Sequence, residues 1–281
     1  MSGADGRTGV RITSRAVQVS GTTVALTGAS GGLGQAIARE LHARGATLVL
    51  IGRRQDVLAE LSNELQRSWP LVADLGDRAA VEQLSVQLVG EADVLIANAG
   101  IPAAGVLQSF TVDEIDRTLD VNLRAPIALA RALLPAMLER ERGQLVFMSS
   151  VAGKTATPGD SLYHATKYGL RGFAAGLRAD LHGSGVGVSC IFPGFIREAG
   201  IFADSNVKLP PGAGTRSPRD VAVAVARAIE RDLGEVEVAS ALQRAGVFLS
   251  ALSPGLTARA VRALGGHDIA RQMADALEDK R

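Results

Sequence analysis

Seven short runs of aliphatic and β-branched residues recur along the 281-residue chain, and longer stretches with helical spacing of apolar residues separate them. This alternation is typical of right-handed β-α-β units, in which a crossover helix joins two parallel strands. The predicted strands are residues 23–26, 47–51, 70–73, 94–97, 144–148, 186–192 and 236–239. The predicted helices are residues 34–44, 56–67, 77–89, 111–140, 162–182 and 218–231. We therefore expect an α/β protein, a doubly wound parallel sheet of about seven strands with helices on both faces.

Two segments lie outside this alternation. Residues 1–20 are polar and mixed, and we expect a flexible leader there. Residues 241–281 predict two or three helices, a C-terminal extension packed on the single domain formed by residues 21–240. We expect this extension to cap the sheet or to contact another subunit. The alternative is peripheral contact with lipid through the apolar residues 247–252.

Composition excludes several classes of function. The 30 basic and 29 acidic side chains nearly cancel, so no nucleic acid or anionic membrane is predicted as a partner. The single cysteine, Cys190, lies in an apolar run, which predicts a buried thiol and excludes an internal disulfide. The four histidines show no spacing typical of metal ligands, so no metal site is predicted. No uncharged run reaches the ~20 apolar residues of a membrane span, and we expect a cytoplasmic protein without integral membrane association.

A glycine-rich turn follows the first predicted strand directly, and a helical pattern begins immediately after the turn. Gly28 permits a tight turn, and Gly32 and Gly34 allow the backbone and the helix to approach closely. The free N–H groups at the helix start then suit the pyrophosphate of a dinucleotide. The predicted cofactor contacts in this turn are Gly28, Ser30, Gly31, Gly32, Leu33 and Gly34.

A tyrosine and a lysine are spaced for proton transfer. Tyr163 and Lys167 are four residues apart in a predicted helix, so their side chains lie on one face. We expect the ammonium to lower the pKa of the phenol from ~10 toward the working pH. Carbonyl reduction needs such a group, because the oxygen collects a proton when hydride reaches carbon. Ser150 ends a predicted strand, where ligands of open α/β sheets bind, and is expected to hydrogen-bond the same oxygen.

The glycine spacing Gly-x3-Gly-x-Gly, together with Asn122, Ser150, Tyr163 and Lys167 in this order, resembles the short-chain dehydrogenase/reductase family. The resemblance covers residues 20 to 240. It implies a Rossmann-type fold and hydride transfer between a nicotinamide cofactor and a carbonyl or alcohol. It also implies that Asn122 supports a water linking Lys167 to bulk solvent. A homo-oligomer, either a dimer or a tetramer formed through the long fourth and fifth helices, is a further implication.

Cofactor choice depends on the end of the second predicted strand. Gly52 stands where the NAD-preferring members of this family carry aspartate, and the guanidinium of Arg53 suits a 2'-phosphate. NADP (NADPH) is therefore predicted, and NAD is less favoured. The resemblance implies further cofactor contacts at Arg54, Asp74, Leu75, Asn98, Ala99, Gly100, Tyr163, Lys167, Pro193, Gly194 and Ile196.

The chain departs from the family pattern at Glu198, where the family commonly has a threonine that helps to hold the nicotinamide carboxamide. A carboxylate there adds negative charge, and we expect weaker cofactor binding. The apolar and glycine-rich segment 194–216 indicates a mobile loop over a hydrophobic substrate. His164 is expected to face packing or solvent, because neighbouring helical positions point in different directions.

Three functions fit these residues. The intact set of four favours an NADP-dependent oxidoreductase that interconverts an apolar ketone or aldehyde and an alcohol, with Tyr163 as acid/base. One alternative is a catalytically idle NADP-binding regulator. The other is an epimerase or dehydratase of the related extended type, which uses the same Tyr-x-x-x-Lys pair. Its glycine spacing differs, and 281 residues leave little chain for a separate substrate domain.

Overall fold

The structure, a computed structural model, describes residues 16–205, 207, 213–253, 255, 257, 259 and 266–277. Its seven strands form one parallel sheet in the order β3-β2-β1-β4-β5-β6-β7. The strands are β1 Thr23–Thr27, β2 Thr47–Gly52, β3 Ser68–Val72, β4 Val94–Ala97, β5 Gly143–Met148, β6 Val186–Pro193 and β7 Glu235–Val238. Every predicted strand is present within two residues of its predicted bounds, which confirms the predicted sheet.

Helices cover both faces of the sheet. The described helices are α1 Gly32–Ala43, α2 Gln55–Glu64, α3 Arg78–Leu88, α4 Val112–Leu119, α5 Ala125–Glu139, α6 Ser161–Asp180, α7 Ile201–Ser205, α8 Pro218–Arg231, α9 Ala241–Leu252 and α10 Gly266–Leu277. One apolar core joins the sheet to α1, α2 and α8, and the other joins it to α3, α5 and α6. Alternate residues of one strand serve the two cores: Val24 and Leu26 face the first, and Ala25 faces the second.

The long fourth helix differs from its prediction in one respect. A π-helical segment at Asp120–Arg124 separates α4 from α5, and the N–H of Ala125 reaches back to the carbonyl of Asp120. The combined helix Val112–Glu139 is long and apolar enough to span a membrane by length and composition alone. In the structure it packs against α3 and α6 and is part of the second core. The expected absence of integral membrane association stays a prediction.

The predicted leader begins to order earlier than residue 20. Residues 1–15 lie outside the described part of the chain, but Val17 and Val19 are buried in the first core. The hydroxyl of Thr22 donates to the carbonyl of Val19 at 2.7 Å. Burial of two valines and this hydrogen bond fix the chain ahead of β1, so the globular part includes residues that we expected to be flexible.

At the other end, the predicted C-terminal helices are present as α9 and α10. The first residues of α9 pack closely on the segment after β6, since a side-chain carbon at Gly194 would lie 2.4 Å from Oε1 of Gln243. The outer face of α9 is apolar and exposed, at Leu242, Phe248, Leu249 and Leu252. The extension therefore contacts the edge of the sheet at which ligands of this fold class bind.

Candidate active site

The strand order reverses between β1 and β4, and the carboxyl ends of these strands form a crevice. Thr27, at the end of β1, joins the two strands: its hydroxyl accepts from the N–H groups of Asn98 and Ala99, both at 3.0 Å. The Asn98 side chain donates to the carbonyl of Thr27 at 3.0 Å. Asn98 and Ala99 are thus placed as predicted. Thr27 was missed as a site residue, although a hydroxyl at the end of a buried strand was a usable signal.

The glycine turn fits closely enough to exclude side chains. Gly28 has φ +67°, and a side-chain carbon there would lie 2.8 Å from Cα of Ala99. At Gly34 the same carbon would lie 2.1 Å from the carbonyl oxygen of Gly28. The N-cap residue of α1 is Gly31, which has no side chain to satisfy the first N–H groups of the helix. Unsatisfied amides at a helix start are suited to a phosphate.

The end of β2 carries the residues predicted to choose the cofactor. Arg53 is exposed, and its charge acts on Asp74, which follows the neighbouring strand β3. Arg54 instead donates a hydrogen bond to the carbonyl of Ser30, within the glycine turn. A side-chain carbon at Gly52 would lie 3.0 Å from Oγ of Ser30. The structure therefore leaves Arg53 free to contact a ligand and gives Arg54 a supporting contact.

Asp74 and Leu75 follow β3 as predicted, but they face different surroundings. The Asp74 carboxylate accepts from the N–H of Gly76 at 2.9 Å and pairs with Arg117 at 3.1 Å. Burial acts to raise the pKa of Asp74, but the hydrogen bonds from Gly76 and Arg117 outweigh burial, and the pKa is lowered. The Leu75 side chain is buried in the second core. Only the backbone of Leu75 is therefore placed to contact a ligand.

Two serines follow β5 directly, and their side chains point in different directions. Oγ of Ser149 donates to the carbonyl of Lys167 at 3.0 Å and is buried against α6. Oγ of Ser150 accepts from the N–H of Ala152 at 3.1 Å, and the Ser150 hydroxyl hydrogen-bonds Tyr163. Ser150 is therefore the serine beside the tyrosine, as the alternation along a strand predicted.

The tyrosine and the lysine lie together, yet their electrostatics differ from our prediction. Nζ of Lys167 donates to the carbonyl of Met148 at 2.9 Å and lies 5.5 Å from the ring centroid of Tyr163. Burial raises the pKa of Tyr163, the charge of Asp160 raises it further, and the hydrogen bond with Ser150 partly lowers it. Burial also lowers the pKa of Lys167 to about 8. The predicted lowering of the tyrosine pKa is thus wrong for the protein alone, because desolvation outweighs the cation.

Asn122 lies within the π-helical segment and is buried. Its Oδ1 accepts from the N–H of Ile101 at 2.8 Å, and its Nδ2 donates to the carbonyl of the same residue at 2.9 Å. A side-chain carbon at Gly100 would lie 3.4 Å from Oδ1 of Asn122 and 3.6 Å from Nζ of Lys167. Gly100 thus leaves room between the two predicted relay residues. The structure thus places Ser150, Tyr163 and Lys167 close to one another, and Asn122 and Lys167 both beside Gly100.

His164 has a positioning contact instead of a catalytic one. Its Nδ1 lies 2.7 Å from the carbonyl of Ala152, and its Nε2 accepts from the N–H of Thr157 at 2.9 Å. Both ring nitrogens are occupied by the loop that follows Ser150. The imidazole therefore fixes this loop to α6, in agreement with the prediction that His164 faces packing.

The predicted residues after β6 are divided between site and core. Pro193 ends β6, and its carbonyl accepts from the Ser150 hydroxyl at 3.4 Å. Ile196 is buried in the first core, so only its backbone faces outward. Glu198 has φ +72° and forms an ion pair with Arg197 at 2.8 Å. Its carboxylate is exposed and turned to a neighbour in sequence, in a backbone region that non-glycine residues rarely adopt.

Two further predictions concern cysteine and metals. Cys190 is a buried free thiol, as predicted, and burial raises its pKa to about 12. Among the residues that the structure describes, no group of three or more His, Cys, Asp or Glu side chains is arranged to hold a metal ion.

Comparisons with known proteins agree with this geometry. The short chain dehydrogenase family model matches residues 22–208. A ketoacyl reductase, HetN, of Nostoc sp. is 35% identical over 269 residues, which cover 92% of this chain and 94% of that protein. Dehydrogenase/reductase SDR family member 7B of Bos taurus is 36% identical over 258 residues, 85% of this chain and 79% of that protein.

Comparison with solved structures also finds short-chain dehydrogenases. A short-chain dehydrogenase from Sphingobium yanoikuyae, in complex with NADPH, has a TM-score of 0.72 at 27% identity. The match covers 84% of this chain and 94% of that structure. Sequence family, sheet order and the placement of Ser150, Tyr163, Lys167 and Asn122 are therefore consistent with one another. The chain belongs to the short-chain dehydrogenase/reductase family, whose members are oxidoreductases that act on CH–OH groups with a nicotinamide cofactor.

Proposed function

We propose that this protein is an NADP(H)-dependent reductase or dehydrogenase that interconverts a ketone or aldehyde and an alcohol, with Tyr163 as acid/base. The observation that carries the proposal is one group of side chains, in which Ser150 and Lys167 lie beside Tyr163, and Asn122 and Lys167 lie beside Gly100. It lies at the carboxyl edge of the sheet, beside a glycine turn that has no room for side chains. The nicotinamide, when bound, supplies or accepts the hydride.

The side chains have separable roles in this reaction. Ser150 donates a hydrogen bond to the carbonyl oxygen, and Tyr163 donates a proton to it. With its raised pKa, the Tyr163 phenol holds its proton at neutral pH until the substrate oxygen accepts it. When protonated, the Lys167 ammonium stabilises the negative charge that remains on the phenolate. Asn122 holds the backbone of Ile101 and thereby the space beside Lys167.

A preference for NADP over NAD rests on Arg53. Its guanidinium is exposed at the end of β2, where a 2'-phosphate would lie, and its charge acts on Asp74 at the end of the next strand. A carboxylate at position 52, as NAD recognition would need, has little room, because Oγ of Ser30 is 3.0 Å from the first side-chain carbon. The NADPH complex of the Sphingobium yanoikuyae relative supports the same choice.

A titration with NADPH and with NADH tests the cofactor proposal directly. We expect NADPH to bind more tightly, with the dissociation constant read from the emission of the reduced nicotinamide. Arg53→Ala should weaken NADPH binding roughly tenfold or more and leave NADH binding unchanged, since it removes a charge-assisted hydrogen bond. Arg54→Ala is the matched control, because Arg54 contacts the carbonyl of Ser30. Equal loss for both cofactors in Arg53→Ala would contradict the assignment.

An apolar substrate is proposed from the surroundings of Tyr163. Ala103, Phe110 and Leu162 form a small apolar cluster against which Tyr163 packs. The ketoacyl reductase among the relatives supports a ketone. A panel of aliphatic and aromatic ketones and aldehydes with NADPH tests this, and Tyr163→Phe is the control. Turnover that survives Tyr163→Phe would exclude the acid/base role, and cofactor binding without turnover of any carbonyl would favour the idle regulator.

Assembly and location are further proposals. We propose a cytoplasmic homo-oligomer, a dimer or a tetramer, as the family resemblance implies. Exposed apolar side chains on α9, at Phe248 and Leu249, support a surface that is covered in an assembly. Light scattering at several protein concentrations gives the oligomeric state. A monomer at micromolar concentration would contradict the proposal.

A further inference from the structure

The turn that follows Ser150 is held at its middle by the catalytic helix. The segment Val151–Gly153 is a single 3-10 turn, and the N–H of Ala152 donates to Oγ of Ser150 at 3.1 Å. The carbonyl of Ala152 in turn lies 2.7 Å from Nδ1 of His164. The orientation of the Ser150 hydroxyl therefore depends on where this turn lies.

The end of the turn is held by a buried ammonium group. The Lys154 side chain is only 8% exposed, and its Nζ lies 2.7 Å from Glu235 and 2.8 Å from Glu237. The same Nζ lies 4.0 Å from the ring centroid of Phe192. Alternate residues of a strand point to the same face, so both carboxylates of β7 meet the ammonium from one direction. Removing one member of a buried ion pair is costly, and this geometry is accordingly rigid.

The ion pairs extend from β7 to two helices. Arg171 of α6 pairs with Glu235 at 2.8 Å, and Arg244 of α9 lies 3.4 Å from Glu237. Lys154 is the member of this group that is continuous with the serine turn, because its N–H donates to the carbonyl of Val151 at 2.9 Å. The network thus joins the serine turn to the edge strand, to the catalytic helix and to the C-terminal extension.

We propose that Lys154 is a positioning residue for Ser150. By pairing with Glu235 and Glu237 it fixes the Val151–Gly153 turn against β7, and the turn holds the Ser150 hydroxyl toward the substrate oxygen. The inference rests on the proposed function, in which Ser150 hydrogen-bonds that oxygen. Lys154 acts through Ser150 and touches neither substrate nor cofactor.

A double-mutant cycle separates this role from a general structural one. Lys154→Met keeps the length of the side chain and removes the charge, and we expect kcat for carbonyl reduction to fall roughly tenfold. The dissociation constant for NADPH should not change, because the glycine turn is untouched. In a Ser150→Ala background, Lys154→Met should cause no further loss, since the hydroxyl that it positions is gone. Lys154→Arg should restore much of the lost activity.

Arg178→Met is the matched control. Arg178 of α6 pairs with Asp232 at 2.6 Å, just before β7 and so at the end of that strand opposite to the site. Its loss should lower stability without changing kcat, with or without Ser150. If Lys154→Met does not fold, Glu237→Gln replaces it, because this change removes one of the two carboxylates and keeps the shape.

The outcomes are distinct. Equal fractional losses from Lys154→Met in the wild-type and Ser150→Ala backgrounds would overturn the positioning role. An unchanged kcat in Lys154→Met, with Ser150→Ala strongly impaired, would overturn it and leave the proposed function standing. A Ser150→Ala variant with normal turnover would instead contradict the proposed function, and the inference with it.

Discussion

Lys167 is a buried cation whose Nζ donates to the carbonyl of Met148 at 2.9 Å. Burial lowers its pKa from 10.5 to about 8, so the folded protein holds this proton less well than the unfolded chain. The charged form therefore destabilises the fold at neutral pH. A shift of this size corresponds to about 3 kcal/mol as an upper bound. Catalytic use and stability oppose each other at this residue.

We expect Lys167→Met to abolish turnover and to raise the free energy of unfolding at pH 7 by on the order of 1–3 kcal/mol. The wild-type protein should gain stability between pH 8 and 10.5, where the unfolded chain still binds a proton that the folded protein has lost. The variant should lack this gain. Urea unfolding of both proteins at pH 7, 8 and 10 measures the free energy of unfolding. A less stable variant at pH 7 would contradict the argument.

Glu198 is a second residue that lowers the stability of the fold, in this case through its backbone conformation. At φ +72° a glutamate is strained, and glycine adopts this region freely. Glu198→Gly should raise the free energy of unfolding by up to about 1 kcal/mol. Glu198→Ala is the control, because it removes the pair with Arg197 and keeps the strain. If Glu198→Gly and Glu198→Ala change the free energy of unfolding equally, the loss of the charge explains the change and the relief of backbone strain does not.

At the scale of elements, strands and helices were predictable, and the irregular segments were not. The spacing of apolar residues and the length of each apolar run identified β1 to β7, because buried parallel strands are nearly continuous aliphatic runs. The end of α2 was placed three residues too late, since the carbonyl of Arg67 already bonds Leu48 of β2. The π-helical segment had no sequence marker, because it depends on what Asn122 contacts in space. The alternation at Val17 and Val19 was visible but was assigned to the leader.

The residues of the candidate site could be predicted from the sequence, but their electrostatics and long-range contacts could not. Residue identity and spacing identified the serine, the tyrosine and the lysine. The direction of the Tyr163 pKa was not predictable, because it depends on burial and on Asp160, which the helical spacing to Lys167 does not reveal. The contact of Gln243 with Gly194 joins residues 49 positions apart, and local patterns carry no information about it.

Two buried polar residues, Asn122 in the π-helical segment and Thr118 in α4, give opposite predictions for stability. Asn122→Leu leaves the N–H and the carbonyl of buried Ile101 unpaired, so we expect a loss of roughly 2–4 kcal/mol in the free energy of unfolding. Thr118, one turn earlier, is buried, and among the described residues its hydroxyl has no hydrogen-bond partner. Thr118→Val should be neutral or stabilise by about 1 kcal/mol. Thermal or urea unfolding of both variants measures the contrast, and two equal losses would contradict it.

At the scale of the whole molecule, the site is assembled from distant parts of the chain. Thr27 bonds Asn98 and Ala99 across about seventy positions, and Ser150 and Tyr163 come from later elements. All adjacent strands of the sheet are parallel, and such long-range pairing makes folding slow. Cofactor binding should therefore appear last in refolding.

Refolding from urea in the presence of NADPH tests this expectation. We expect the emission of bound NADPH to recover no faster than the slowest phase of far-ultraviolet circular dichroism. The physical reason is that the glycine turn has its final shape only after β4 lies beside β1. Recovery of binding in an early phase, while secondary structure is still forming, would show that the turn is built locally.

The reversal of strand order also divides the molecule into two halves. Among the described strands, β1 to β3 lie on one side and β4 to β7 on the other, and the chain crosses between them once, after α3. That crossing includes Gly90, at φ +83°, with no atom within 4 Å of the position where a side chain would begin. Each half keeps its own strand neighbours, and the β1–β4 ladder, the packing of α1 on α8 and the packing of α3 on α5 join them. An exchange of one half between relatives would therefore have to keep these helix contacts as well as the seam at Gly28 and Ala99.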